Sequence, residues 1–524
     1  MDDIFQYLGL DDGAKIGETT SSPFPTEGGM PSFDRVPFVL LPGKNVSLNT
    51  FVVVARHGER DTLHYGRVVQ GWEFNETASP SQLQKAAAFG IKSSAIRPSE
   101  SSPRLVRGME IEILGELHLN NGNLELSVPK VLPQTGQGVY ELPAHVIPMI
   151  LGVPSDNNKD EGLHIGTIES GGKAVNFYLP TKAVPRHIAV LGKTGSGKSY
   201  ATGVIIEELY KKGIPVISFD VLGDMETTAK ELGGEHLVAG QEFMVPYSVI
   251  GVEEFLEFIP ALTKDQEEIV MVAYDLIFNE ALEQLSKNDG VDISYSELLD
   301  KIKEIGEDLK SKAWSNAHRR VEAALSRSYL LTQGKVEWPE LLTTKPFLNV
   351  YVGHLSQHSR NLVVGAAARI LQRLRRRDLI PPFVLVLDEA HLFLPSGTSS
   401  PSTNVIREMI RTARHDKIGV ILITQSPSSM DKQVLLTCNT KMLFALDTED
   451  LRVVTGQMSD LPEEIVNRIP RMERGTAIIV STMDLMRHPV ELKIRTREST
   501  THVAETPDLT EAVKSWRDKK SIRT

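Results

Sequence analysis

The stretch "HIAVLGKTGSGKSYATGVIIEEL", residues 187–209, decides the fold. Its apolar run, Ile188 to Leu191, stops at Gly192. The pattern G-x-x-x-x-G-K-[ST] then follows in full, Gly192 to Ser199. Glycines here let backbone N–H groups curl round a phosphate chain without Cβ clashes. The residues from Lys198 have helical spacing, so the positive end of a helix faces the same point. Lys198 is placed to reach the β- and γ-phosphates, and Ser199 to hold Mg²⁺. A strand before and a helix after are the context that separates a nucleotide cradle from a plain turn. The expected nucleotide-binding positions are Gly192, Lys193, Thr194, Gly195, Ser196, Gly197, Lys198, Ser199 and Tyr200, with ATP and Mg²⁺ as cofactors.

Working outward, "IPVISFD", "FLNVYVGHL", "PFVLVLDEAH", "IGVILITQS" and "KMLFALD" are apolar almost throughout. Strands of that kind suit a mainly parallel sheet covered on both faces. They predict an α/β core over 181–251 and 346–498. Residues 252–345 interrupt it with helical spacing and read as an inserted helical bundle. Residues 36–180 hold short alternating strands with Gly/Pro turns, as in a small barrel or sandwich. "MEIEILGELHL", "NNGN" and "LELSVPKVL" form a hairpin signal, because Asn-Gly tolerates positive φ. A Ser/Pro-rich loop is expected over 93–104. Residues 1–35 read as a flexible arm with one short helix, and 499–524 as a C-terminal arm.

The net charge, 57 − 68 = −11, excludes a surface basic all over, while leaving room for a local groove or a pore. The lone cysteine, Cys438, allows no intrachain disulfide and fits a reducing cytosol; it reads as a packed residue. No run of about 18 apolar residues is present, so no membrane-spanning helix is expected.

Three further segments carry chemistry. Asp388 and Glu389 end an apolar strand. The first can bind Mg²⁺ and the second can polarise a water, which marks a hydrolase. Thr424-Gln425 ends another strand, where the Gln425 amide can meet the γ-phosphate or the water. Arg411 and Arg414 end the preceding helix, and Arg186 stands before the first strand. Each suits either a cation given to a neighbour's phosphate or an ordinary helix-end charge. "RILQRLRRRDL", 369–379, concentrates five arginines spread round a helix. A solvated or intersubunit face is the plainer reading and a DNA-facing one the sharper. "LPSGTSSPSTN", 394–404, reads as a flexible polar loop, either a channel contact or a connector.

"PRHIAVLGKTGSGKS", "LVLDEAH" and "RTARHDKIGVILITQSP", in that order, resemble the HerA branch of the HerA/FtsK superfamily. The β-rich region with "GRVVQGWEFNETAS", the helical insertion and the C-terminal arm are similar too. The resemblance implies a RecA-like ATPase core, a homo-hexameric ring, double-stranded DNA in a central channel and no membrane association. A NurA-type nuclease partner and DNA end resection in the cytoplasm are also implied. By position, Glu389, Gln425, Arg414 and Arg186 become the catalytic set, with Ser199 and Asp388 at Mg²⁺. Asp220 and Asp224, in "FDVLGD", lie at an acidic strand end whose role stays open. The rivals are an ATPase of a conjugation or secretion apparatus, and an assembly protein switched by nucleotide.

Overall fold

The computed structural model describes residues 3–21, 32–75, 84, 85, 87–89, 105–259, 261–286, 292–333, 338–397, 399–456, 458 and 461–499. Two compact units emerge. One comprises 1–180, 458–472 and 476–494, the other 181–457, 473–475 and 495–524.

In the first unit, strands β1 (Lys15–Thr19), β2 (Arg35–Leu40), β3 (Phe51–Ala55), β4 (Thr62–Asn75), β5 (Leu105–Asn120), β6 (Asn123–Ser127) and β7 (Gly138–Glu141) form one sheet, ordered β2-β1-β7-β3-β4-β5-β6. Pairing of β2 with β5, through Val36–Ile111 and Phe38–Met109, closes six of them into a barrel. Alternation drives this: Ile16, Val36, Phe38, Val52, Val54, Val68, Ile111 and Val139 form one buried cluster. Bulges between Tyr65 and Gly66 and between Val68 and Gln70 bend β4 as closure requires. The β5–β6 turn sits at Asn121 and Gly122, both at positive φ, as the Asn-Gly signal requires. The sequence placed residues 1–35 outside the barrel. A short helix at Ile4–Leu8 is present, capped by Asp3, but Lys15–Thr19 is a barrel strand. Its Ile16 gains a buried place there, which a free arm would forgo.

Strands β8 (Gly162–Ser170) and β9 (Lys173–Pro180) complete the unit's forward run as an antiparallel hairpin.

The second unit carries β10 (Ile188–Leu191), β11 (Val216–Asp220), β12 (Glu235–Val238), the short pair β13 (Val245–Pro246) and β14 (Leu331–Thr332), then β15 (Phe347–Tyr351), β16 (Phe383–Leu387), β17 (Ile418–Thr424) and β18 (Thr440–Leu443). Seven of these follow the order β12-β15-β11-β16-β17-β10-β18. The pairings resolved residue by residue are all parallel. Every residue of β10, β11, β16 and β17 is buried, the reason these runs read as continuously apolar. The fold is α/β with a RecA-like core.

The insertion between β12 and β15 consists of helices Val252–Glu257, Lys264–Ser286, Tyr295–Asp308, Trp314–Arg327 and Trp338–Thr344. Stacking of Phe255 on Tyr274, 4.2 Å between centroids, ties the first two together.

After β18 the chain returns to the first unit for β19 (Thr476–Val480) and β20 (Val490–Ile494). The range expected for the ATPase core, 346–498, includes both; β19 pairs with β20, and β20 with β8 through Lys493–Thr167 and Ile494–Gly166. The Ser/Pro-rich loop at 93–104 and the C-terminal arm beyond 499 lie outside the described residues.

Candidate nucleotide-hydrolysis site

In a parallel α/β sheet, ligands bind at the carboxyl ends of the strands. Here β10 lies between β17 and β18, with β16 beyond β17. Leu191 is level with Thr424, and Leu387 with Leu422. Gly192, Asp388–Glu389 and Gln425 therefore emerge on one edge, although up to 233 positions separate them in the chain (Gly192 to Gln425).

The loop 192–197 is held by backbone hydrogen bonds. Lys193 N–H donates to Ala445 O at 2.7 Å, and Gly475 N–H to Ser196 O at 3.0 Å. Gly197 has φ of 114° and caps helix Lys198–Lys211. A Cβ on Gly192 would stand 2.6 Å from Phe444 Cβ and 2.7 Å from Ser196 Oγ, so the cradle admits only glycine there. Lys198 is buried, and its ammonium donates to Lys193 O at 3.1 Å. Burial pulls its pKa down, opposed by the nearby Glu389 and Asp388 carboxylates. An anionic phosphate chain offers this lysine the acceptors it lacks.

Opposite it stands an acidic group. Burial, then Asp220 and Glu389, push the Asp388 carboxyl up to about 8. Asp224 is likewise raised by burial and by Asp220, and is hydrogen-bonded to the Ser199 side chain. Asp220 is fully buried and anchors the loop behind β11. It accepts from Gly223 N–H at 2.7 Å, Met225 N–H at 3.0 Å and Asn349 Nδ2 at 3.2 Å. The Ser199 hydroxyl and the Asp388 carboxylate are hard oxygen donors, as Mg²⁺ prefers. An adjacent divalent cation would keep Asp388 ionised, so the donor set fits the metal.

Glu389 occupies the left-handed region, φ 48° and ψ 51°, at a cost of about 1–2 kcal/mol for a non-glycine residue. It is buried, its Oε2 takes no hydrogen bond, and His391 Nδ1 stands 3.4 Å away. His391 Nδ1 also lies 3.0 Å from Thr424 Oγ1, linking the acid to the end of β17. The Thr194 hydroxyl donates to Gln425 Oε1, so the amide engages the cradle directly.

This geometry is that of an NTP-hydrolysing P-loop enzyme. Residues 163–347 match the family model described as Helicase HerA, central domain. The chain is 23% identical over 511 residues to the DNA double-strand break repair helicase HerA of Pyrococcus furiosus, spanning 86% of this chain and 88% of that protein. With the same-named helicase of Saccharolobus solfataricus it shares 24% over 372 residues, 66% of this chain and 73% of that one. Among solved structures, VirB4 of Thermoanaerobacter pseudethanolicus matches with a TM-score of 0.49 and 17% identity, over 64% of this chain and 97% of that one.

The other residues singled out in the sequence fall as follows. Tyr200 lies in the first turn of the helix, and its hydroxyl accepts from Arg497 N–H at 2.8 Å. Arg186 is half-buried, its carbonyl accepting from Asn439 N–H at 3.0 Å. Arg414 is exposed and has no side-chain partner among the described residues, whereas Arg411 donates to Gln433 Oε1 at 2.8 Å. The DNA-facing reading of the arginine run is corrected for four of its five members. Arg369 pairs with Glu254 at 2.8 Å, and Arg373 donates to Val249 O and covers the Phe278 ring at 4.5 Å. Arg375 pairs with Asp378 at 2.7 Å, and Arg376 with Asp416 at 3.0 Å. They brace the insertion and the neighbouring helix. The loop expected over 394–404 is shorter, because a helix begins at Pro401, with Ser400 Oγ accepting from Thr403 N–H at 3.2 Å. Cys438 is buried, as a packed residue should be. No described helix is long and apolar enough to cross a membrane.

Sequence reasoning missed the Thr194–Gln425 contact and left Asp224 without a role. The two acids of "FDVLGD" were the only signal, since the approach of Asp224 to Ser199 depends on the turn after β11.

Proposed function

We propose that this HerA-type chain is an ATP-driven, ring-shaped DNA translocase or helicase. In this reading six copies surround duplex DNA, and a NurA-type nuclease resects the ends that the ring delivers for double-strand break repair. The names of the curated relatives support the DNA reading. The observation that carries the hydrolytic part is Glu389, a buried carboxylate with an open acceptor oxygen near Lys198.

Each group then has a task. The loop N–H groups and Lys198 bind and orient the triphosphate, and Ser199 and Asp388 hold Mg²⁺, which supplies charge neutralisation at the phosphates. Glu389 accepts the proton of the attacking water, and Gln425 holds the water or the terminal phosphate in line. Arg414, exposed and without a side-chain partner among the described residues, is available to a neighbouring copy's site, and the half-buried Arg186 is the second candidate for that role. Contact with DNA through its backbone implies little sequence preference and steep salt dependence.

The test is steady-state ATP hydrolysis by the purified oligomer, with and without long duplex DNA, beside Glu389→Gln. DNA should stimulate turnover, and the variant should lose about 10²–10⁴-fold. Turnover indifferent to DNA at low salt would sink the motor reading.

A further inference from the structure

We infer that the helical insertion of this chain carries a second nucleic-acid contact, a cleft for single-stranded DNA away from the nucleotide site. The inference rests on the DNA reading for its ligand class alone. The cleft measures about 570 Å³ and is lined by Arg320, Arg327, Tyr329, Phe258, His358 and Leu362. That size is ordinary for a ligand site.

Arg320 and Arg327 are exposed, seven positions apart on helix Trp314–Arg327, hence on one face and about 10 Å apart along its axis. Neither their side chains nor that of His358 make a hydrogen bond or ion pair among the described residues. This contrasts with the nearby run 369–376, whose arginines are spent on carboxylates and carbonyls. Two unpartnered guanidiniums at that separation suit two different phosphates of one strand.

Tyr329 supplies the other half. Its ring leans on Gly240, where a Cβ would come 2.4 Å from Cδ2, yet the residue is 54% exposed. A supported ring with an open surface is a stacking platform for a base. Ala323 and Ala324, also in the lining, are small enough to let a base approach. A cationic groove with an aromatic platform is how strands are bound without sequence preference. One carboxylate, Glu257, lies in the lining.

The full-length chain would be irradiated with a 5-iododeoxyuridine-substituted 20-mer, and its cross-linked peptides identified by mass spectrometry. Cross-linking at Tyr329 is expected, and its loss in Tyr329→Leu. The pair Arg320→Ala/Arg327→Ala should weaken oligonucleotide binding at least tenfold and lower the log–log salt slope by about 1.4, the share of two single-strand phosphates. Unchanged melting temperatures would show that the variants fold, and Arg320→Lys should retain most of the slope. No cross-link at Tyr329, or an unchanged slope, overturns the proposal. So does binding of a polyglutamate peptide through these arginines while the oligonucleotide ignores them, which would mark a site for an acidic protein. Lys198→Ala abolishes hydrolysis and should leave the cross-link intact. DNA-insensitive turnover with the cross-link retained would count against the motor reading alone.

Discussion

The helix that begins at Lys198 is clamped at its far end by the chain's return, and removing the Glu207 carboxylate tests that clamp. Glu207 is buried. It accepts from Ser499 N–H at 2.8 Å, Ser499 Oγ at 2.6 Å and Glu498 N–H at 3.1 Å, and pairs with Arg495 at 2.9 Å. Arg497 lies 3.6 Å away, covers the Tyr200 ring and donates to Thr228 Oγ1 at 2.7 Å. In Glu207→Ala the nearly buried Arg497 guanidinium loses its counter-charge, while Arg495 keeps Glu208 at 2.9 Å. Breaking a buried pair in this way costs about 3–5 kcal/mol. At about 2 °C per kcal/mol for a unit of this size, melting should fall by about 6–10 °C. The pH dependence follows from the same contacts. Burial by itself would raise the Glu207 carboxyl, but the Ser499 and Glu498 hydrogen bonds and Arg495 hold it below its ordinary value. A depressed carboxylate stabilises the fold above its unfolded pKa, about 4.3, and that contribution disappears as pH falls through the lower folded value. The gap between wild type and variant, followed by circular dichroism, should therefore be full at neutral pH and close in acid. A shift below about 1 °C, against the expected several degrees, or a gap that persists in acid, would refute the reasoning.

Gly192→Ala forces a Cβ to 2.6 Å from Phe444 Cβ and should cost about 1–3 kcal/mol, with at least tenfold weaker binding of a fluorescent ATP analogue. Gly195→Ala has open space and only its φ of 78° to bear, about 1–2 kcal/mol, so its binding should suffer less. Asp388→Asn keeps the acceptor facing Val221 N–H but should abolish the Mg²⁺-dependent part of nucleotide affinity, measured by calorimetry with and without the metal. Arg373→Ala should destabilise the chain by about 1–3 kcal/mol through its lost ring and carbonyl contacts, and should leave the salt slope of DNA binding unchanged.

Local sequence determined the parts whose cause is local. The cradle's glycines, the lysine and serine that open its helix, and the acid pair after an apolar strand follow from a pattern that backbone sterics and phosphate chemistry impose within a few residues. The core strands were legible because burial on both faces leaves them apolar throughout, and the β5–β6 turn because Asn-Gly accepts positive φ. Tertiary structure decided what depends on partners far along the chain. Ile16 joined the barrel, and β20 joined β8, because a strand edge is satisfied by hydrogen bonds and not by composition. The arginines of 369–376 looked available until the folded chain brought Glu254, Asp416 and the Phe278 ring against them, whereas the side chains of Arg320 and Arg327 have no partner among the described residues. A charge's availability depends on what folding places beside it. The same holds for Asp224 on Ser199 and Gln425 on Thr194, contacts that exist only because parallel strands distant in sequence end on one edge.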